Sequence, residues 1–229
     1  MNTEKVLKYA HRYYDAEFIR VDNDGDYALQ RDGDTLYLFL EWSHGKTDWK
    51  NNFDFPAKPY KDMGATWFCH RGFLKVWKSI EPHVKDAIMD ETIIKIVVVG
   101  YSHGAAIATL AHEYVWFHRP DIRDAIEGYG FGAPRCYWGF NVKKSLKKRW
   151  ENFHPVRNDN DIVAHVPPVL FGFTHVNKIV QVHGGSKKVT YKNKIKSAFC
   201  NFLLKISGAG AHYWSSYIRG IENLTQQND

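Results

Sequence analysis

The sequence lacks any run approaching the ~18 consecutive apolar residues of a membrane-spanning helix, which excludes a helical transmembrane protein. Cysteine is scarce: Cys69, Cys136 and Cys200 are odd in number, far apart and never paired as CxxC. Neither a thiolate zinc site nor a disulfide framework is suggested. Internal repeats, low-complexity tracts and linker-like stretches are also missing, so the 229 residues are expected to form a single domain, 1–229. The first residues, MNTEKVLKYAHRYYDAEF, carry charges throughout and no apolar core of a Sec leader. They lead us to expect a cytoplasmic address as synthesised, with release or non-Sec export left open. An excess of one charge is weak as well. Lys+Arg total 31 and Asp+Glu 25, a formal +6, and the cations are scattered rather than gathered on one face as in a dedicated nucleic-acid binder.

What is abundant is apolar and aromatic material, 44% and 15% of the chain, which excludes a disordered tail. Val6, Leu7, Ala10 and Tyr14 have helical spacing. The cluster Asp22-Asn23-Asp24-Gly25-Asp26 invites a calcium reading, but an EF-hand loop needs Gly where Tyr27 stands, and a turn between strands is preferred. Thr35–Trp42 reads as a buried strand, and residues 43–66 read mostly as loop. Phe73, Val76, Trp77, Ile80, Val84 and Ile88 form the apolar stripe of a core-facing helix. Ile93–Val99 is β-branched nearly throughout, as in a central parallel strand. A helix over 104–118, a strand over 126–131 and a late strand over 176–182 follow; 142–150 reads as a basic surface helix. This alternation predicts an α/β fold with a mostly parallel sheet.

The chemistry lies in Val99-Gly100-Tyr101-Ser102-His103-Gly104-Ala105-Ala106. It is a G-x-S-x-G between a buried strand and a helix, the context of a nucleophile elbow. The turn is tight, so the positions two before and two after the serine must be small. A serine hydroxyl needs a base, and the base an orienting acid. Asp161, ahead of the apolar pair Ile162-Val163, is the leading acid, with Asp159 as fallback. His165, His175, His183 and His212 all remain candidate bases on the residues alone.

An ordered set of motifs narrows this choice. Leu40-Glu41-Trp42-Ser43 with Asp48-Trp49, His70-Arg71-Gly72-Phe73-Leu74, Gly100–Gly104, Gly132-Ala133-Pro134-Arg135, Asn160-Asp161-Ile162-Val163 with Pro167-Pro168, and His212-Tyr213-Trp214 follow one another along the chain. In that order they resemble the class 3 lipases, the fungal triacylglycerol lipase family, from about Thr35 to Trp214. The resemblance implies an α/β-hydrolase fold, with helices on both faces of the sheet. It implies a serine carboxylic-ester hydrolase with no metal or organic cofactor. Ser102 would be nucleophile, Asp161 acid and His212 base, with an oxyanion hole from the backbone N–H of His103 and from Ser43.

Four residues depart from the family pattern. Glu41-Trp42 replaces Arg-Gly, Tyr101 replaces the usual His and His103 the usual Leu, which brings a polar side chain near the hole. A short lid is expected over His44–Phe68, where Trp49, Phe53, Phe55, Tyr60 and Trp67 would either face an acyl chain or close the core. Ile195–Ile206 is read as a buried helix, with an interfacial helix as the alternative. Lys143, Lys144, Lys147, Lys148 and Arg149 are read as a solvated face. An ester or lipid is the expected partner, with transient lipid-interface contact possible and no nucleic acid. A phospholipase A-type or polysaccharide esterase on the same triad is the alternative; a non-catalytic hydrolase-fold binding protein is a more distant one.

Overall fold

A computed structural model of the chain describes residues 2–41, 56–61, 63–185 and 209–226. Its centre is a seven-stranded sheet in the order β1-β2-β3-β6-β7-β9-β11. The strands are β1 (Ile19–Val21), β2 (Gly25–Asp32), β3 (Thr35–Leu40), β6 (Lys95–Tyr101), β7 (Ile126–Phe131), β9 (Phe153–Asn158) and β11 (Val180–Val182). From β3 to β11 every neighbouring pair is parallel; β1 and β2 add antiparallel at one edge. A smaller antiparallel sheet has the order β10-β8-β5-β4, from Phe173–Thr174, Tyr137–Trp138, Trp67–His70 and Ala57–Tyr60.

Strand alternation explains the layering. Leu36, Leu38, Leu40, Ile96 and Val98 point to one face and pack with Trp77 and Ile80 of helix α2 (Arg71–Met89) and with Ala106 and Leu110 of α3 (His103–His118). The intervening Tyr37, Phe39, Val97 and Val99 point to the other face. They meet Val6, Tyr9 and Tyr13 of α1 (Thr3–Tyr14) and Tyr217 and Ile221 of α4 (Trp214–Gln226). The double covering that the unbroken β-branched run implies is present. His70, the first residue of the H-x-G-F-L motif, caps α2: its Nδ1 accepts from the Phe73 N–H at 3.4 Å.

Two expectations need correction. Val142–Trp150 is not a surface helix: only Lys147–Trp150 forms a 3-10 turn, and Trp150 is fully buried. Nor does Arg149 belong to a solvated face. Its guanidinium meets Glu113 at 2.6 Å and donates to the Met63 carbonyl at 2.8 Å. Glu113 is itself wholly buried and also accepts from Trp67 Nε1 at 2.8 Å. An isolated carboxylate in that core would be costly, so it draws Arg149 inward, out of the basic run. Trp67 therefore closes the core, and Tyr60, fully buried and accepting from Trp77 Nε1 at 2.9 Å, does the same. Trp49, Phe53 and Phe55 lie outside the described residues, as does Ile195–Ile206.

Candidate active site

Strand β6 carries the buried run to Tyr101, and α3 begins at His103. Ser102 between them adopts φ 56°, ψ −122°. This strained left-handed backbone lifts the side chain out of the strand-to-helix turn. The flanking glycines are dictated by contact. A Cβ on Gly100 would lie 2.2 Å from the Gly104 carbonyl oxygen, and one on Gly104 would lie 2.1 Å from the Leu40 oxygen. The elbow thus rests against the end of β3.

Three side chains from separate elements meet there. Ser102 Oγ donates to His212 Nε2 at 2.8 Å, and His212 Nδ1 donates to Asp161 Oδ2 at 2.6 Å. Asp161 follows β9 by three residues and is fully buried; the imidazole of His212 is one-fifth exposed. The Val163 N–H donates to the other carboxylate oxygen at 2.8 Å, and the Tyr217 hydroxyl donates to Oδ2. His212 is held through its backbone and its ring. Asn158 Nδ2 donates to the Ala211 carbonyl at 2.9 Å, and the Tyr101 hydroxyl donates to the His212 carbonyl. The Tyr101 ring stacks on the imidazole at 5.1 Å. Burial and the nearby Asp161 charge hold the Tyr217 and Tyr101 phenols well above their ordinary range, so both stay protonated donors.

The G-A-P-R segment braces the chain after Asp161. Arg135 donates to the carbonyls of His165 and of Pro167, the latter at 2.9 Å, pinning the turn that follows Asp161. Gly132 has φ +62° and leaves room for the imidazole: a Cβ there would lie 2.7 Å from His212 Cε1.

The other candidates are engaged elsewhere. Asp159 accepts from His183 Nδ1 at 2.9 Å and from the Gly185 N–H at 2.8 Å. His165 faces the Arg157 guanidinium at 3.3 Å. His175 is bonded to the Ala164 carbonyl at 2.9 Å, and burial pulls its pKa down to about 4. His103 is the first residue of α3, where helix N–H groups have no intrahelical acceptor. Its ring is buried against Phe73 at 5.3 Å, and burial lowers its pKa to about 3. Ser43 and most of the 44–68 segment lie outside the described residues. No three His, Cys, Asp or Glu side chains gather as a metal-holding set among the described residues.

Sequence reasoning missed Asn158, Tyr217 and the double contact of Tyr101. Tyr217 could not be found by motif spacing, because its role depends on α4 lying against the Asp161 turn. Tyr101 was visible as a departure, and only the structure shows what it touches.

The sequence model of the family described as Lipase (class 3) matches residues 38–171, more than half of the chain. The secreted mono- and diacylglycerol lipase 1 of Fusarium solani is 30% identical over 142 residues, covering 60% of this chain and 41% of that protein. A secreted mono- and diacylglycerol lipase of Malassezia globosa, MDL2, is 28% identical over 113 residues, covering 49% of this chain and 36% of that protein. The chain therefore spans about two fifths of the length of these curated relatives. A solved triacylglycerol lipase whose catalytic centre is a serine-protease triad aligns with a TM-score of 0.65 at 18% identity, covering 93% of this chain and 94% of that one. That likeness shows the α/β-hydrolase fold. The expected cytoplasmic address is corrected by the relatives, two of which are secreted enzymes. The physical reason is simple: an N-terminal stretch without the continuous apolar run of a leader describes only that stretch, here the amphipathic helix α1 packed on the sheet.

Proposed function

The chain belongs to the class 3 lipase family, and we propose that it is a serine carboxylic-ester hydrolase acting outside the cell, with Ser102, His212 and Asp161 as its triad. The observation that carries this is the unbroken hydrogen-bond chain from Ser102 Oγ through the imidazole to the buried carboxylate. Ser102 Oγ attacks the ester carbonyl while His212 Nε2 takes its proton. The negative charge that develops on the carbonyl oxygen is met by the His103 N–H, with Ser43 as second donor; one such donor is worth on the order of 100-fold or more in rate. Asp161 stabilises the imidazolium and holds Nδ1 as the donor. The proton passes from Nε2 to the departing alcohol, leaving an acyl-enzyme. Water then attacks with His212 again as base, and the acid is released with Ser102 restored. The whole of 1–229 serves as one catalytic domain in this reading.

Exposed apolar side chains after Asp161 in the chain and next to His212 favour a lipid ester over a sugar ester. Val169, Leu170 and Phe171, in the turn after the acid, are 48%, 87% and 54% exposed. Tyr213, next to His212, is 42% exposed. These side chains suit transient contact with a lipid interface. The test is turnover by wild type and Ser102→Ala over dispersed acylglycerols, phospholipid and soluble short-chain esters. Wild type should prefer dispersed acylglycerols, and Ser102→Ala should lose at least about 10⁴-fold in kcat. Retained turnover in Ser102→Ala overturns the mechanism. Preference for phospholipid, or for soluble or carbohydrate-linked short esters, overturns the acylglycerol assignment and leaves the triad standing.

A further inference from the structure

The proposed base, His212, arrives at the end of a long connection. Strand β11 ends at Val182, the chain is described to Gly185, and it is described again from Ala209, three residues before His212. A side chain on such a connection keeps its conformational freedom unless the connection is tied at its ends. After His212 the tie is helix α4, whose Tyr217 and Ile221 are fully buried against the sheet. Before His212 the tie runs through Asn158, the last residue of β9.

Asn158 is wholly buried, and its carboxamide is engaged through both nitrogen and oxygen. Oδ1 accepts from the Gly184 N–H at 2.7 Å; Nδ2 donates to the Gly185 carbonyl at 3.2 Å and to the Ala211 carbonyl at 2.9 Å. One planar group therefore holds the outgoing chain of the connection and the residue directly before His212. The main chain of Asn158 serves the acid. Its carbonyl accepts from the Asp161 N–H at 3.0 Å, and its N–H faces the Tyr217 hydroxyl that supports Asp161. Asp159 adopts φ +42°, a left-handed backbone costly for a non-glycine residue, and its carboxylate accepts from the Gly185 N–H at 2.8 Å. Gly184 lies so close to α4 that a Cβ there would meet the Ser216 carbonyl oxygen at 1.7 Å. The turn 158–161 thus carries the acid, and its first side chain grips the chain that carries the base.

We propose that Asn158 is the positioning residue of the base: its carboxamide clasps both ends of the 185–211 connection and thereby sets the place of His212 relative to Asp161 and Ser102. This rests on the reading of His212 as base, and Asn158 itself touches no reacting atom. Such a clasp fixes alignment rather than substrate affinity, so its loss falls on kcat and spares KM. Asn177 supplies the control. Its Nδ2 likewise ties main-chain carbonyls, those of Trp150, Glu151 and Phe153, at 2.9, 3.2 and 3.1 Å, but at the opposite end of β9 from the triad.

Wild type, Asn158→Ala and Asn177→Ala are compared in Tm and in kcat and KM on a soluble ester. They are also compared in the proton NMR line of the 2.6 Å bond between His212 Nδ1 and Asp161, which so short a charge-assisted bond shifts far downfield. Both variants should lower Tm. Only Asn158→Ala should lose kcat, by on the order of 100-fold with KM within about twofold, and only it should lose or broaden the downfield line. Hydrogen exchange on wild type needs no variant: the Gly184 N–H should exchange at least about 100-fold more slowly than an unprotected amide. The proposal is overturned if Asn158→Ala keeps kcat within about threefold or keeps the wild-type line, or if Asn177→Ala loses kcat equally. It is also overturned if Gly184 exchanges like an exposed loop amide. Failure of the triad reading shows differently, as turnover retained in Ser102→Ala while the downfield line still depends on Asn158.

Discussion

Replacing Gly132 by Ala adds one methyl group at the point where the proposed triad is most crowded. The new Cβ would lie 2.7 Å from His212 Cε1, 2.9 Å from Nδ1 and 3.0 Å from Asp161 Oδ2. Carbon atoms prefer roughly 3.5–4.0 Å, so the imidazole must retreat by about 1 Å. It is held by hydrogen bonds of 2.6 and 2.8 Å on its two nitrogens, and such a shift breaks the alignment of at least one of them. A misplacement of that size costs on the order of 100-fold in rate, about 2.7 kcal/mol of barrier. The φ of +62° adds backbone strain for any side chain, about 1–2 kcal/mol. Gly33 separates the two effects: its φ is +61°, and a Cβ there meets nothing within 4 Å. Both variants should lower Tm through the shared positive φ, Gly132→Ala the more because of its clash, and only Gly132→Ala should lose kcat/KM on a soluble ester by about 100-fold. A Gly132→Ala enzyme within about threefold of wild type, or a matching loss in Gly33→Ala, would refute this account of the site.

Tyr217→Phe removes a hydroxyl donor from the buried Asp161, so a stability loss of about 1–3 kcal/mol is expected, read from denaturant midpoints. The same variant should show a lower kcat with KM little changed; a shift confined to KM would contradict a role in holding the acid. Arg149→Met strands the fully buried Glu113, whose pKa burial already raises to about 7 against the pull of Arg149. A cost of about 3–5 kcal/mol is expected, and a Tm equal to wild type would show that the pair carries no load. His103 and His112 are buried with pKa values lowered to about 3, below the 6.5 of a free imidazole. The unfolded chain therefore takes up protons first, and stability is lost as pH falls from 6.5 toward 3. At pH 5 each such histidine costs about 2 kcal/mol, so urea midpoints should drop between pH 7 and pH 5. A flat profile would contradict the burial argument.

Much of the fold was legible because its signals are local. The β-branched run before Ser102 is hydrophobic on both faces, and the stripe from Phe73 to Ile88 has a helical period; each is visible in a short window. Strand β9 was not, because Pro155 stands inside it and proline argues against a strand flanked on both sides. Arg149 looked solvated because its five-residue neighbourhood is basic. Its true environment is set by Glu113, 36 residues earlier on α3. The same limit holds at the site. Ser102 is announced by its own turn, whereas choosing His212 over three other histidines needed the family order. Tyr217 and Asn158 act across distances of 56 and 53 residues and leave no mark in either neighbourhood.

The central claim is that Ser102 is a nucleophile activated by His212. Its most direct measurement is covalent trapping: wild type, Ser102→Ala and His212→Ala are treated with a fluorophosphonate, and the modified peptide is located by mass spectrometry. One adduct per chain on Ser102, none in Ser102→Ala and a greatly slowed reaction in His212→Ala is the predicted result. Labelling at another residue, or a His212→Ala protein that reacts at the wild-type rate, would contradict the account.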